Sequence, residues 1–170
     1  MSNLQQVDRN ESIQLAPMVE EIFTDLTPLA EKSGITLELA GDGVMTGSDA
    51  LIYRMIFNLT ENAIKYNRPD GSVQVCITQE PEKLLILVSD TGRGIPEEYQ
   101  QSIFQPFFRV DKSRSRTFGG AGLGLALVWE IAALHGGSVR VAESSDSGTT
   151  IAAELPRSGN HAADSKNEML

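Results

Sequence analysis

The sequence is poor in the residues that would cross-link a chain, bind it to nucleic acid or anchor it in a membrane. It holds a single cysteine, Cys76, so no internal disulfide can form and a reducing compartment is the expectation. Within "GSVQVCI" that thiol reads as a buried strand residue. Basic side chains are scarce: 14 Lys and Arg stand against 23 Asp and Glu, a formal charge of -9. That balance excludes a surface built to displace counterions from nucleic acid, so any phosphate bound here needs a local pocket. No run of about 18 apolar residues occurs, and the first residues lack the charged-then-apolar order of a secretory signal. A soluble chain, not inserted in a membrane, is expected. Internal repeats and low-complexity tracts are missing too.

What is present suits one domain. A chain of 170 residues, 41% hydrophobic, is long enough to bury roughly two thirds of its unfolded surface around one core. "RSGNHAADSKNEML" (157–170) has almost no large apolar residues, so it is expected to stay disordered, with the folded part ending near Pro156. "SIQL" before Pro17 reads as a strand leading into a helix, with Val19, Ile22, Phe23, Leu26 and Leu29 at helical spacing up to Gly34. "ITLELA" alternates as a strand. A second helix over 47–67 is capped by Ser48 or Asp49, with Ile52, Met55, Ile56, Leu59 and Ala63 as its stripe. "PDG" (69–71) is a turn between that helix and the strands "SVQVCI" and "LLILVSD"; the latter is apolar throughout, so both its faces should be covered. A short helix "EEYQQSIF", a Gly-, Ser-, Arg- and Phe-rich loop (105–122), a helix "LGLALVWEIAALHGG" and a hairpin across "SSDSG" complete the chain. The pattern predicts an α+β fold: a two-layer sandwich with a mixed, mostly antiparallel sheet and helices on one face.

Three stretches carry chemistry. At 100° per residue, Asn58, Asn62 and Lys65 fall within about 60° of one another, beside the apolar stripe of the second helix. They form either a solvated face or the edge of a cleft where an amide oxygen meets magnesium and an ammonium meets phosphate. Asp90, at the mouth of a buried strand in "VSDTGRGIP", can accept from an exocyclic amine, and Gly92 and Gly94 let backbone approach a planar ring; an ordinary strand-ending turn is the alternative. "GGAGLGLAL" (119–127) puts glycines before a helix, where bare N–H groups and the helix dipole suit an anion. No strand precedes it, against a dinucleotide fingerprint, and no G-K-S/T follows, against a P-loop.

In this order the stretches resemble the Bergerat-type ATP-binding domain, most closely the catalytic domain of sensor histidine kinases, over roughly residues 12–156. The N box matches "NLTENAIKY", the first glycine box "DTGRGIP", the F box "FQPFFRVD", the second glycine box "GGAGLGLAL" and the last box "SGTT". The resemblance implies a protein-histidine kinase module using ATP and Mg2+. Asn62 would hold the metal with Asn58 nearby, Lys65 would reach the phosphates, and Tyr66 would pack along the nucleotide. Asp90 would bind the adenine amine and Thr149 would assist through water. Arg109 would approach the γ-phosphate, and Gly120, Gly122 and Gly124 would shape a phosphate lid. Gly92, Gly94, Ile95, Phe107, Leu123 and Leu125 complete the implied nucleotide site.

The wider superfamily's hydrolases carry a glutamate four residues before the metal asparagine; here that position is Asn58, an amide that takes no proton at neutral pH, so transfer to an external nucleophile is favoured. Glu61 points elsewhere on the helix. The acceptor histidine is absent: His135 at a helix end reads as capping and dipole interaction, and His161 lies in the polar tail. The partner implied is therefore a separate dimerisation and phosphoacceptor hairpin, with a response regulator reached indirectly. The module itself would be monomeric and cytoplasmic, alone or as the cytoplasmic part of an inner-membrane sensor. Residues 1–11 resemble a linker from such a hairpin or an engineered start. Within the motifs, Phe108 replaces a common tyrosine, and "DSGT" replaces G-x-G-T, leaving only Gly148 and Thr149 of that box. Lys112, Arg114 and Arg116 are either phosphate contacts or solvated charges. Phe104, Phe107 and Phe118 would anchor the lid, and Trp129 is read as packing. An anti-sigma-type serine/threonine kinase and a nucleotide-binding regulatory module without catalysis are the rival readings.

Overall fold

Apolar spacing changes from strand to helix at Gln14, and the backbone follows it in the computed structural model, which describes residues 11–106 and 125–158. Strand β1 (Glu11–Gln14) runs into α1 (Leu15–Ser33), which buries Leu15, Met18, Val19, Ile22, Leu26 and Ala30 on one stripe. The N–H groups at its start have no intrahelical acceptor and use a distant loop: Leu15 N donates to Gly43 O (2.9 Å) and Ala16 N to Asp42 Oδ1 (3.0 Å). Gly34 ends the helix in the left-handed conformation. Strand β2 (Thr36–Gly41) follows, then β3 (Val44–Gly47), antiparallel to β1 with Ser12 opposite Thr46. Four residues that include a threonine and a glycine carry too little pattern to announce β3, so its presence is new.

Helix α2 (Asp49–Lys65) is capped by Ser48, whose hydroxyl accepts from Leu51 N (3.2 Å). Its buried stripe is Leu51, Ile52, Met55, Ile56, Leu59, Thr60, Ala63 and Ile64. Strands β4 (Ser72–Gln79) and β5 (Lys83–Asp90) form an antiparallel pair. Helix α3 (Ala126–Leu134) precedes the hairpin of β6 (Ser138–Ser145) and β7 (Gly148–Pro156). The main sheet has the order β2-β4-β5-β7-β6, parallel only between β2 and β4. Val73, Val75, Ile77, Leu84, Ile86, Val88, Ile151 and Leu155 alternate onto the face that the helices cover, and the core lies between these two layers. The mixed, mostly antiparallel two-layer α+β sandwich is thus the architecture observed.

Several local expectations need correction. "EEYQQSIF" is not one helix but two 3-10 turns, Glu97–Tyr99 and Ser102–Phe104. The hairpin loop shrinks to Asp146 and Ser147, because Ser145 and Gly148 already pair across the strands. Cys76 is half-buried, not buried: strand parity puts it opposite Leu87 on the outer face, away from the core residues Val75 and Ile77. For the same reason β5 is fully covered on one face only, since Leu85 and Leu87 are half-exposed. Arg157, read as tail, is anchored: its N–H donates to Glu82 O (3.0 Å) and its carbonyl accepts from Thr46 N (2.7 Å). Trp129 is 50% exposed and lies tilted against Phe104 at 5.8 Å, so it covers the core instead of joining it. Phe104 itself is buried in the core. Among the described residues no helix is long and apolar enough to cross a membrane.

Candidate functional site

The C-terminal half of α2 faces the ends of β5 and β7 across a cleft of about 460 Å³, its open mouth included. Leu59, Asn62, Ala63 and Tyr66 come from the helix, Val88 and Asp90 from β5, Gly94 and Ile95 from the loop after it, and Thr149 and Ile151 from β7; Leu125 closes the set. Seven residues singled out from the sequence therefore meet here: Asn62, Tyr66, Asp90, Gly94, Ile95, Leu125 and Thr149. The walls are apolar and the polar groups few, as in a small-molecule site.

Asp90 is held in place from one side. Its Oδ1 accepts from Gly92 N (2.8 Å) and from Thr149 N (3.2 Å), which leaves the second oxygen without a backbone donor among the described residues. Burial pushes the carboxyl above its ordinary value of 3.8, against the two backbone N–H groups, which pull it down. Next to it the β6–β7 hairpin closes in. Gly148 has φ 139, and a Cβ there would lie 1.9 Å from the Asp90 carbonyl oxygen, so only glycine allows this approach. The substitution of G-x-G-T by "DSGT" is accommodated outside that contact: Asp146 O accepts from Arg68 Nη2 (2.5 Å). A residue that the motif reading missed, Ser144, bridges the two loops. Its hydroxyl accepts from Ile95 N (2.8 Å) and lies 2.9 Å from the hydroxyl of buried Thr149.

Three expected residues lie off the lining. Asn58 is half-buried one turn before Asn62 and does not line the cleft. Lys65 has a side chain 51% exposed, with its Nζ 3.9 Å from Glu61 Oε2, an ion pair one helical turn apart. Glu61 thus faces Lys65, not solvent alone. Gly92 is buried and contributes its N–H to Asp90 instead of a surface to the cleft. The phenol of Tyr66 is raised above its usual value, first by burial and then by Glu61, in keeping with a ring set against the cavity wall. Phe107, Arg109, Gly120, Gly122, Leu123 and Gly124 lie outside the described residues, as do Lys112, Arg114, Arg116 and Phe118. Leu59, Ala63, Val88 and Ile151 line the cleft although the sequence marks the first two only as helix stripe; no local signal separates them from core.

His135 is fully buried. Its Nδ1 lies 2.9 Å from Ile131 O, and its Nε2 accepts from Ser48 N (3.0 Å). A backbone N–H can only donate and a carbonyl only accept, so the proton is on Nδ1 and the ring is neutral. The expected capping of its own helix is there, but a neutral ring supplies no charge for the dipole; its second bond staples α3 to the start of α2.

Comparison with known proteins follows the same outline. Residues 47–159 match the family described as Histidine kinase-, DNA gyrase B-, and HSP90-like ATPase. Sensor histidine kinase RppB of Synechocystis sp. is 34% identical over 145 residues, 84% of this chain and 32% of RppB. Sensor histidine kinase CusS of Escherichia coli O157:H7 is 33% identical over 158 residues, 92% of this chain and 33% of CusS. The chain spans about a third of the length of these two curated relatives. Among solved structures, the catalytic domain of histidine kinase ThkA superposes with a TM-score of 0.75 at 25% identity, covering 87% of this chain and 99% of that one. The mycobacterial sensor histidine kinase MprB gives 0.74 at 27%, covering 88% and 99%. The chain therefore belongs to the histidine kinase-, DNA gyrase B- and HSP90-like ATPase family, as an ATP-binding catalytic domain of the sensor histidine kinase kind.

Proposed function

We propose that this domain hands the γ-phosphoryl group of ATP to a histidine on a separate helical-hairpin domain. The observation that carries the reading is the fixed carboxylate of Asp90 in a mostly apolar cleft that Asn62 also lines. In this reading the adenine enters against Ile95, Val88 and Ile151, and its amine donates to the Asp90 oxygen that Gly92 and Thr149 leave free. The triphosphate then runs along the end of α2 past Asn62, with Lys65 turning from Glu61 to meet it. Tyr66 borders the nucleoside. Arg109 and the glycines Gly120, Gly122 and Gly124 are assigned to the phosphates on the motif resemblance alone.

Among the described residues no three His, Cys, Asp or Glu side chains gather where they could hold a metal, so a carboxylate cage is not the donor set offered there. A single amide oxygen suits magnesium that keeps waters and substrate phosphates as its other ligands, and Asn62 lines the cleft where such a ligand is wanted. When bound, magnesium would screen the charge that gathers on the phosphates. The reaction is an in-line displacement: the imidazole lone pair forms the N–P bond as the bond from the γ-phosphorus to the bridging oxygen breaks and ADP leaves. Asn58 stands where a water-activating carboxylate would be needed for hydrolysis, and an amide cannot take the proton.

We further infer that residues 12–156, with Glu11 and Arg157 tied onto them, form the catalytic unit, and that a cytoplasmic response regulator receives the phosphoryl group from the acceptor hairpin. Mixing the chain with a hairpin domain that carries the acceptor histidine and with γ-labelled ATP should place an acid-labile label on the hairpin. An unlabelled hairpin, in a sample where ATP binding is seen, rejects histidine transfer; an acid-stable label points to the serine/threonine reading instead.

A further inference from the structure

We propose that Asn67 and Thr91 are positioning residues that lock the base-reading loop to the phosphate end of α2. The proposal rests on the nucleotide reading above and concerns two side chains outside the cleft lining. Asn67 directly follows Tyr66, and Thr91 directly follows Asp90, so each is one residue from a group that lines the cleft. The two side chains meet: the Thr91 hydroxyl donates to Asn67 Oδ1 at 2.8 Å. The direction follows from the neighbours, because Ser72 N donates to the same hydroxyl oxygen (3.0 Å) and a carboxamide oxygen can only accept. Asn67 makes two further bonds, with Oδ1 accepting from Arg68 N (2.8 Å) and Nδ2 donating to Ser72 O (2.9 Å). Three segments are thereby tied at one point: the end of α2, the start of β4 and the loop after β5.

The backbone is shaped around this tie. A Cβ on Gly71 would lie 2.4 Å from both Asn67 Oδ1 and Thr91 Oγ1, so the bonded pair occupies the space a side chain would take. A Cβ on Gly92 would lie 2.5 Å from Tyr66 O, which sets the loop carrying Asp90 directly on the last turn of α2. Arg68 extends the tie to the hairpin turn through Asp146 O. A ligand that touches Asp90 at one end and the α2 phosphate face at the other spans this junction. Its affinity depends on the separation of the two halves, and a ligand confined to the base half does not feel it.

Calorimetry with a non-hydrolysable ATP analogue and with adenosine tests this on four proteins: the parent, Thr91→Val, Thr91→Ser and Asn67→Ala/Thr91→Val. Loss of one hydrogen bond at the junction should weaken the ATP analogue roughly five- to tenfold in Thr91→Val, which keeps the side-chain shape. Thr91→Ser, which keeps the hydroxyl, should stay within about twofold of the parent, and the double variant should bind more weakly than Thr91→Val because it also removes the Asn67 bonds to Arg68 N and Ser72 O. Adenosine binding should move less than about twofold throughout. A merely structural role would lower the melting temperature without changing affinity measured well below it. The inference is overturned by Thr91→Val binding the analogue like the parent, or by Thr91→Ser failing to rescue. A parent that binds no nucleotide overturns the underlying site reading, and this inference with it.

Discussion

Asp90→Asn should weaken ATP about 10- to 100-fold, the loss expected when a hydrogen bond to a charged group, worth about 1.5–3 kcal/mol, is removed. The asparagine can keep its Oδ1 where Gly92 N and Thr149 N already donate, so the loop geometry survives. What changes is the other atom, an acceptor oxygen replaced by an NH2 that would face the adenine amine donor to donor. The same substitution should leave the ligand-free melting temperature unchanged or raised. Burial lifts the Asp90 carboxyl above 3.8, so the folded chain holds this proton more tightly than the unfolded one. Between the two values folding takes up protons; stability from this group is therefore fullest at low pH and falls as pH rises through the folded value. At neutral pH the buried charge is a cost, and the neutral amide removes it. Binding has the opposite sign. ATP affinity of the parent should drop as pH falls toward the raised Asp90 value, because the protonated carboxyl loses an acceptor, and that limb should vanish in Asp90→Asn. Titration calorimetry across pH and differential scanning calorimetry measure the two effects; equal ATP affinity in parent and variant would sink the assigned pocket.

His135→Ala, unlike Asp90→Asn, should cost much stability. The substitution empties a fully buried site and strips a partner from Ser48 N, the group at the very start of α2, as well as from Ile131 O. An unsatisfied buried donor costs about 1–3 kcal/mol and the vacated volume adds a cavity term of similar size, so a total near 3–5 kcal/mol is expected. For a domain of this size that corresponds to a fall in melting temperature of roughly 10 °C. Denaturant titration should show the midpoint shift with an unchanged slope. Because neither of these two ring hydrogen bonds involves a residue lining the cleft, ATP affinity of the folded protein should stay close to the parent's. A variant that melts like the parent would mean that the imidazole staple contributes nothing net.

How far the sequence could carry the site depended on whether each residue announces itself locally. Asn62, Tyr66, Asp90 and Thr149 sit in short patterns that alternate polar groups with obligatory apolar or glycine neighbours, and all four line the cleft. The fold class was equally legible, because long periodic stretches such as 49–65 and 83–90 commit to helix or strand on their own. Contributions that depend on register were not. Ser144 becomes the bridge between Ile95 and Thr149 only once the hairpin has chosen a two-residue turn. Cys76 changes face with strand parity, and β3 exists because β1 offers it an edge. Val88 and Ile151 look like any core residue until a cleft opens beside them.

The stitching of Arg157 to Thr46, and of Glu11 to the start of α2 through its Oε1 and Asp49 N (2.7 Å), brings chain entry and exit to one pole of the domain. Tyr66, at the far end of the same helix, is 17 residues from Asp49, a lever of roughly 25 Å at about 1.5 Å per residue. Anything covalently joined to that pole therefore steers the cleft from a distance: a pivot of about 10° there sweeps the far tip through roughly 4 Å, given that helical rise. The rigid rod converts a small rotation at the attachment into a displacement comparable to the reach of a phosphoryl group.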